Sequence, residues 1–147
     1  MQTIYVAEIC EQSEMQALVV DQEMSLMDVV KEFATNHNLR GIFIMGEEGS
    51  LVGVVNKQDL LRWVGLQLNQ RPTGEQMSVG QMRRLVNAQR VADLATPGSD
   101  DAALQLNDTL ADALKKMITF NLSDIPVVDD TGRIINDLRL SEILLHM

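Results

Sequence analysis

Three residues that could contact a ligand lie where an apolar stretch ends and a helix is predicted to begin: Gly53, Asn56 and Asp59, in the string GVVNKQD. A glycine that closes a strand lets a ligand approach the backbone, and a helix start offers free amides and a positive helix end. Asp59, one turn into the helix, could accept hydrogen bonds from two sugar hydroxyls. The same residues also fit a plain capping arrangement, as Ser25 and Asp28 do, and the residue pattern by itself favours that simpler interpretation.

Catalytic chemistry finds little support among the other reactive residues. The histidines are His37 and His146, and the single cysteine is Cys10; no nucleophile or metal-ligand pattern links them. The glycine-rich phosphate-binding patterns of nucleotide-using enzymes are absent from the sequence. A single cysteine excludes an intramolecular disulfide and suits a reducing compartment. We therefore predict a protein without enzymatic activity, with neither a catalytic nor a metal site.

The charge of the chain argues against nucleic acid as a partner. Its 147 residues carry a formal net charge of −9, and this field repels nucleic-acid phosphates and anionic lipid alike. No apolar run approaches the roughly 20 residues of a membrane-spanning helix. The N-terminus also lacks the basic-then-apolar order of a signal peptide. We expect a cytoplasmic protein that binds neither nucleic acid nor membrane.

One pattern occurs twice in the chain. Residues 42–61, IFIMGEEGSLVGVVNKQDLL, recur as 125–144, IPVVDDTGRIINDLRLSEIL. Each copy predicts an apolar strand, a polar turn that ends in glycine, a second strand and a helix. The acidic residues of the two turns fit solvated turns better than metal sites. These acids are Glu47, Glu48, Asp129 and Asp130.

A second set of signals precedes each copy. The strings at 25–28, SLMD, and 109–112, TLAD, have the form of capping boxes that open amphipathic helices, and a strand is predicted at Leu18 to Val20. Further upstream, VAEIC at 6–10 reappears as VADLA at 91–95. The apolar spacing predicts one buried face on each helix. The predicted faces are Leu26, Val29, Val30 and Phe33 in the first copy, and Leu110, Ala113, Leu114 and Met117 in the second.

Together these elements predict an α/β (α+β) fold, in which two tandem β-α-β-β-α repeats pack about a pseudo-twofold axis. The first repeat is assigned to 1–70, a helical connector to 71–90 and the second repeat to 91–147. A capping box at 78–81 opens the connector helix. Its predicted buried face is Val79, Met82, Leu85 and Val86. Core or interface filling is the role predicted for Trp63, Met77 and Met82.

These strings, in this order and doubled, resemble the cystathionine β-synthase (CBS) domain. The strings concerned are VAEI and VADL, the helix starts SLMD and TLAD, the strand IPVVDD, and GVVNKQDLL. Two such domains in tandem resemble the CBS pair, or Bateman module, and the resemblance covers the chain from about Val6 to Leu144. It implies a regulatory module that binds an adenosine-containing ligand, such as AMP, ADP, ATP or S-adenosylmethionine, in clefts between the repeats.

The resemblance also implies roles for particular residues. Asn56 stands where the family usually has a Thr or Ser that helps to hold phosphate or ribose, and Asp59 stands where an acid binds the ribose hydroxyls. Ile42 and Phe43, at the start of the strand before the turn, would line the adenine, although the bulky ring of Phe43 could instead fill the slot. Arg40 would be a phosphate partner.

The second copy departs from the family pattern at three positions. Asn136 replaces the expected glycine, Arg139 the expected Thr or Ser, and Glu142 the expected Asp. Arginine cannot cap a helix by accepting an amide proton, although Arg139 could pair with a phosphate. We therefore expect one intact cleft, built mainly on Asn56 and Asp59, and a second that is degenerate, empty or changed in preference.

The function expected from the sequence is that of a stand-alone, non-enzymatic sensor that signals through a change in the orientation of its repeats or of a dimer. A homodimer through the repeat helices and a regulated partner protein are the expected partners. The alternative is a structural or dimerisation module that binds no ligand. A small enzyme with an unrecognised site is a third, less favoured interpretation.

Overall fold

A computed structural model describes residues 3–36, 41–68 and 78–147. Along these ranges the helices are α1 (Val6–Cys10), α2 (Leu26–Thr35), α3 (Lys57–Gln67), α4 (Val79–Val86), α5 (Leu110–Phe120) and α6 (Leu140–Leu144). The strands are β1 (Leu18–Asp21), β2 (Ile42–Met45), β3 (Leu51–Val55), β4 (Asp124–Val128) and β5 (Ile134–Arg139), with 3₁₀ turns at Glu47–Gly49, Val91–Leu94 and Ser99–Ala102. The predicted mixture of helices and strands is confirmed. None of the helices described is long and apolar enough to cross a membrane.

The first repeat forms a sheet in the strand order β1-β2-β3. β1 and β2 are parallel, with Leu18 opposite Ile42, because α2 carries the chain back between them. β2 and β3 are antiparallel, and the turn between them places Glu48 and Gly49 at φ values of 60° and 78°. The order of strand, helix, strand, strand and helix is as predicted.

The second repeat keeps the antiparallel pair but reduces its first strand to a single bridging residue. β4 and β5 are paired, with a turn closed by Gly132 at a φ of 86°. Leu104 lies parallel to Val127, and its amide donates to the carbonyl of Pro126 at 2.9 Å. The strand extends no further because the side chain of Asp108 accepts the amide of Gln105 at 2.8 Å and turns the chain.

Each repeat is joined to the opening segment of the other. The amide of Val6 donates to the carbonyl of Asp108 at 2.8 Å, which ties α1 to the start of α5. In the same way, the amide of Leu26 at the start of α2 donates to the carbonyl of Gln89 at 2.8 Å, beside the Val91–Leu94 turn. The segment at 6–10 therefore packs against the second repeat, and the segment at 91–95 packs against the first repeat.

The helix starts use the predicted capping residues. The hydroxyls of Ser25, Ser78 and Thr109 accept the amide three residues on, at 3.2, 3.1 and 3.1 Å respectively. At Ser78 and Thr109 the side chain of the third helical residue also accepts the amide of the capping residue, which completes the box.

Three residues assigned to buried helix faces are exposed in the structure, so these assignments are wrong. Leu114 is 43% exposed, Val79 76% and Val86 61%. α4 packs against α3 and the Val91–Leu94 turn, and the one residue that it buries is Leu85. The neighbours of α4 therefore cover a narrower stripe of its surface than the apolar spacing predicted.

Two apolar clusters form the core. One is shared by the repeats, since Phe43 and Val54 of the first pack with Leu104, Ile125 and Leu138 of the second. The other lies under the first sheet. Its members include Leu26, Val29, Ile44, Trp63, Leu85, Val91 and Leu94. The prediction that the tryptophan fills the core is confirmed, Met82 is half-buried, and Met77 lies outside the described residues.

Candidate ligand clefts

Two of the clefts between the repeats lie at the helix starts that the repeated pattern marks, and a third, of about 710 Å³, lies between α3 and α5. The first cleft, of about 610 Å³, is lined by Asn56 and Asp59 at the start of α3 and by the end of α5. The second cleft, of about 990 Å³, is lined by Arg139 and Glu142 at the start of α6 and by Ile42 of the first sheet. Both clefts thus have walls from both repeats.

Asn56 uses both ends of its amide within the protein. Its Oδ1 accepts the amide of Gln58 at 2.7 Å and so caps α3. Its Nδ2 donates to the carbonyl of Asn121 at 2.9 Å, at the end of α5. The side chain is buried, and it ties the first repeat to the second across the floor of the first cleft.

Asp59 is held by two arginines. Its Oδ2 lies 2.9 Å from Nη2 of Arg84, and its Oδ1 lies 3.4 Å from Nη1 of Arg62. Arg84, on the connector helix α4, also donates to the carbonyl of Ala95 at 2.6 Å. The carboxylate that the sequence assigned to ribose is therefore engaged, and a ribose hydroxyl binding its Oδ2 would compete with Arg84.

Gly53 serves packing in this structure. A Cβ at this position would lie 3.1 Å from Cβ of Ala95 and 3.2 Å from Oγ of Ser99. The Ser99 hydroxyl also accepts the amide of Val54 at 2.8 Å, which joins β3 to the second repeat. The space left by the missing side chain is filled by Ala95 and Ser99, which belong to the segment after the connector.

Gly53→Ala is expected to lower the free energy of unfolding by about 1–3 kcal/mol, because a Cβ 3.1 Å from the Cβ of Ala95 forces the two repeats apart. Chemical denaturation of the purified variant measures this change. The matched control is Gly80→Ala on α4, where the nearest atom lies 3.9 Å from the added Cβ. The control should gain a few tenths to about 1 kcal/mol, and an equal gain at Gly53 would refute the packing role.

The remaining residues of the predicted site are separated. Ile42, 2% exposed, lines the second cleft rather than the first. Phe43 is fully buried in the shared core and lines neither cleft. Arg40 lies outside the described residues, as does His37.

Arg139 and Glu142 form a pair at the start of α6. Nη2 of Arg139 lies 3.1 Å from Oε1 of Glu142, and the same oxygen accepts the amide of Arg139 at 3.1 Å. Glu142 thus accepts the amide of the capping residue, but Arg139 offers no acceptor to the free amides of the first helical turn. His146, at the far end of the second cleft, places Nδ1 2.9 Å from the carbonyl of Glu142.

Asp124 is a functional candidate that the sequence reasoning missed. It begins β4 in the wall of the second cleft and is 5% exposed, and its buried carboxyl group lies within hydrogen-bonding reach of the carboxyl of Asp137. Burial and the neighbouring carboxyl of Asp137 raise the pKa of Asp124 to about 9. The available signal was an acid at the head of an apolar strand, with a second acid in its partner strand.

Cys10 borders the same acidic pair. Burial, and to a lesser extent the charges of Glu142 and Asp137, raise the pKa of its thiol to about 11. The thiol is therefore protonated at neutral pH and a poor nucleophile. Within 3–36, 41–68 and 78–147, no group of three His, Cys, Asp or Glu side chains is arranged to hold a metal ion.

Comparison with protein-family models decides the family. The model for the CBS domain matches this chain twice, over residues 6–66 and 91–147. The chain belongs to the CBS domain family. It is a tandem CBS pair, as the repeated pattern and the resemblance predicted, and its two matched segments contribute the walls of both clefts.

Among proteins with related sequences, this CBS pair is 28% identical over 134 residues to the uncharacterized protein MJ1426 of Methanocaldococcus jannaschii, covering 80% of this chain and 78% of that protein. Solved structures share its fold. A CBS domain-containing protein of Thermotoga maritima, TM0935, has a TM-score of 0.75 at 22% identity and covers 99% of this chain and 95% of its own.

Two further structures of the same fold contain ligands. CBSX2, in complex with AMP, has a TM-score of 0.69 at 22% identity and covers 97% of this chain and 95% of its own. The CBS pair of MJ0100, in complex with 5′-methylthioadenosine and S-adenosyl-L-methionine, has a TM-score of 0.66 at 19% identity, covering 99% and 96%.

Proposed function

We propose that this CBS pair is a non-enzymatic regulatory module that binds an adenosine-containing ligand in its second cleft. The observation that carries the proposal is the second cleft itself, a space of about 990 Å³ between the repeats. A volume of this size is within the range of small-molecule sites. The AMP and S-adenosylmethionine found in related CBS structures support the choice of ligand class.

The walls of the second cleft suit a nucleoside. Apolar side chains that would pack on a flat base come from both repeats, among them Ile42, Leu60 and Leu122. Lys57 provides positive charge for a phosphate, or for the carboxylate of an amino-acid tail, whereas Arg139 is already paired with Glu142 at 3.1 Å. The arrangement therefore suits an uncharged base joined to a polar or charged tail.

The first cleft is the weaker candidate, although the sequence favoured it. It is smaller, and the carboxylate of Asp59 is already paired with Arg84 and Arg62. Breaking that pair to admit a ribose would leave a buried charge partly uncompensated. We propose that Asp59 and Arg84 hold the connector helix in place.

Signalling would follow from the position of the ligand between the repeats. A ligand in the second cleft contacts Ile42 of the first repeat and Arg139 of the second, so it favours the orientation in which both contacts are made. The shift in population is limited by the difference in affinity between the two orientations. A regulated partner would sense this orientation.

Saturating AMP, ATP or S-adenosylmethionine is expected to raise the melting temperature of the wild type by roughly 5–10 °C at about 100 times Kd. Differential scanning fluorimetry measures the shift, with NADH as a further test ligand. Ser123→Trp places a bulky ring at the exposed edge of the second cleft and should abolish the shift. The matched variant Thr119→Trp, at the exposed edge of the first cleft, should retain it.

Asp59→Ala is a second test of which cleft binds the ligand. If this variant and Thr119→Trp lose the ligand shift while Ser123→Trp keeps it, the first cleft is the site and the assignment is reversed. If no ligand shifts the melting temperature of the wild type, the sensor proposal fails.

Such a failure would favour a ligand-free dimerisation module. The observation behind this alternative is a group of exposed apolar side chains on three adjacent helices. Among them Leu61 is 56% exposed, Ile118 74% and Leu144 55%. We propose that these helices form the homodimer contact in either case. A monomer at micromolar concentration in sedimentation equilibrium would rule that contact out.

A further inference from the structure

The connector helix α4 forms one wall of the first cleft. Gly80, Gln81 and Arg84 of α4 line this cleft together with the start of α3. The guanidinium of Arg84 reaches across it, with Nη2 2.9 Å from Oδ2 of Asp59, and Nη1 donates to the carbonyl of Ala95 at 2.6 Å. One side chain of the connector therefore joins α3 to the beginning of the second repeat.

Arg84 occupies the group that a ligand in this cleft would use. The side chain of Asp59 is 10% exposed, and its carboxylate could accept hydrogen bonds from the two hydroxyls of a ribose. Its second oxygen lies 3.4 Å from Nη1 of Arg62. A guanidinium that holds the carboxylate through a charge-assisted hydrogen bond competes directly with those hydroxyls. The connector thus supplies an internal competitor for the first cleft.

The apolar contacts of α4 are few. Leu85 is the one residue that this eight-residue helix buries, whereas Val79 is 76% exposed and Val86 61%. An element with few buried contacts opens at a lower free energy than the core around it. α4 is therefore an element that can separate from α3 while the rest of the protein stays folded.

The chain that follows α4 is held more firmly. The carbonyl of Gln89 accepts the amide of Leu26 at 2.8 Å, and the amide of Val91 donates to the carbonyl of Met24 at 3.0 Å. Both hydrogen bonds tie this chain to the region where α2 begins, and Val91 is fully buried. A separation of α4 would therefore pivot about residues 87–88, between the end of the helix and Gln89.

We propose that α4 is an autoinhibitory lid, which Arg84 locks over the first cleft by occupying Asp59, and that release of this lid opens the cleft to a nucleoside. The inference takes its class of ligand from the proposed function, although it concerns the other cleft. The two clefts share a wall, since Leu60 of α3 lines the second cleft and Asp59 lines the first.

Release of the lid can be followed without a ligand through Trp63, the single tryptophan of the chain. Trp63 is 4% exposed and lies in the same buried cluster as Leu85 of α4. Arg84→Ala should increase the quenching of its fluorescence by acrylamide and shift its emission to longer wavelength, because the lid no longer stays closed. Arg83→Ala removes the neighbouring exposed arginine from the same helix, and this matched control should behave as wild type.

Isothermal titration calorimetry with adenosine measures the opening of the cleft. Adenosine is uncharged, so the loss of a cationic side chain does not by itself change its attraction to the protein. Arg84→Ala should bind adenosine in the first cleft roughly 10- to 150-fold more tightly than the wild type does, which is the strength of one hydrogen bond to a charged group. The gain should appear as an additional binding event. Arg83→Ala should not show it.

Two further variants make this measurement decisive. Thr119→Trp, at the exposed edge of the first cleft, should remove the additional event when it is combined with Arg84→Ala. Arg84→Gln keeps a donor for the carbonyl of Ala95 but lacks the charge that holds Asp59. It replaces the alanine variant if that protein does not fold, and it should give the same additional event.

The outcomes separate this inference from the proposed function. If the variants at Arg84 leave the quenching of Trp63 unchanged, or show no binding event that Thr119→Trp removes, α4 is not an autoinhibitory lid, while binding in the second cleft stands or falls by its own test. Equal affinity of both clefts in the wild type would also overturn the lid. If the wild type binds no nucleoside but Arg84→Ala binds adenosine in the first cleft, the proposed site fails and the lid is supported.

Discussion

Phe43→Ala is expected to lower the free energy of unfolding by about 3–5 kcal/mol, the cost of removing a fully buried aromatic ring. The ring lies in the cluster shared by the two repeats, where it packs with Leu104, Ile125 and Leu138 of the second repeat. The cavity left by alanine would lie between the repeats. Urea denaturation followed by circular dichroism measures the loss.

The control for this prediction is Phe33→Ala. Phe33 is only half-buried, at the margin of the other cluster and of the second cleft, so its truncation should cost clearly less. If the two variants lose equal stability, the shared cluster is not what holds the repeats together. If Phe43→Ala is as stable as wild type, the ring is not buried in solution and its predicted place beside adenine would have to be considered again.

Asp124→Asn is expected to raise the free energy of unfolding at about pH 8 by about 1–3 kcal/mol, because the amide can stay buried beside Asp137 without the proton that the folded wild type has to take up there. The amide keeps the shape of the side chain and can donate to the carboxylate of Asp137. Chemical denaturation of both proteins over a series of pH values measures the gain. Asp130→Asn, at an exposed turn, should stay within about 0.5 kcal/mol of wild type.

The sign of the pH dependence follows from the raised pKa of Asp124. Its ordinary value is 3.8 and its value in the folded protein is about 9, so between these limits the folded state holds a proton that the unfolded state releases. Stability of the wild type therefore falls as pH rises through this window, and the advantage of Asp124→Asn should grow in parallel. A constant difference between the two proteins from about pH 4 to about pH 9 would show that Asp124 is ionised in the fold.

The exchange of opening segments bears on how a ligand could be sensed. α1 packs against β5 of the second repeat, while the Val91–Leu94 turn packs against β3 of the first. The second cleft includes Ile9 and Ser13 from the segment that crosses over. A ligand bound there would contact the first repeat, the second repeat and the crossing chain, so a change in their relative positions would alter all three contacts.

The sequence by itself determined the parts of this protein that depend on local pattern. The repeated strings predicted a doubled unit, and serine or threonine three residues before an acid or glutamine predicted the helix starts at Ser25, Ser78 and Thr109, which the structure confirms. The glycines at the ends of the turns, Gly49 and Gly132, predicted backbone that the structure places at positive φ. These features follow from residues a few positions apart, and such residues lie side by side in the sequence as they do in the fold.

Only the tertiary structure decided what each marked residue contacts. Asp59 and Arg84 are 25 positions apart and meet because α4 folds back on α3. Gly53 is small because a segment beyond the connector packs against it. The pKa of Asp124 is raised by its burial and by Asp137, which β5 brings beside it. A motif names the residue types at a site, but burial and charge depend on neighbours that only the fold brings together, and on that ground we propose the second cleft as the ligand site.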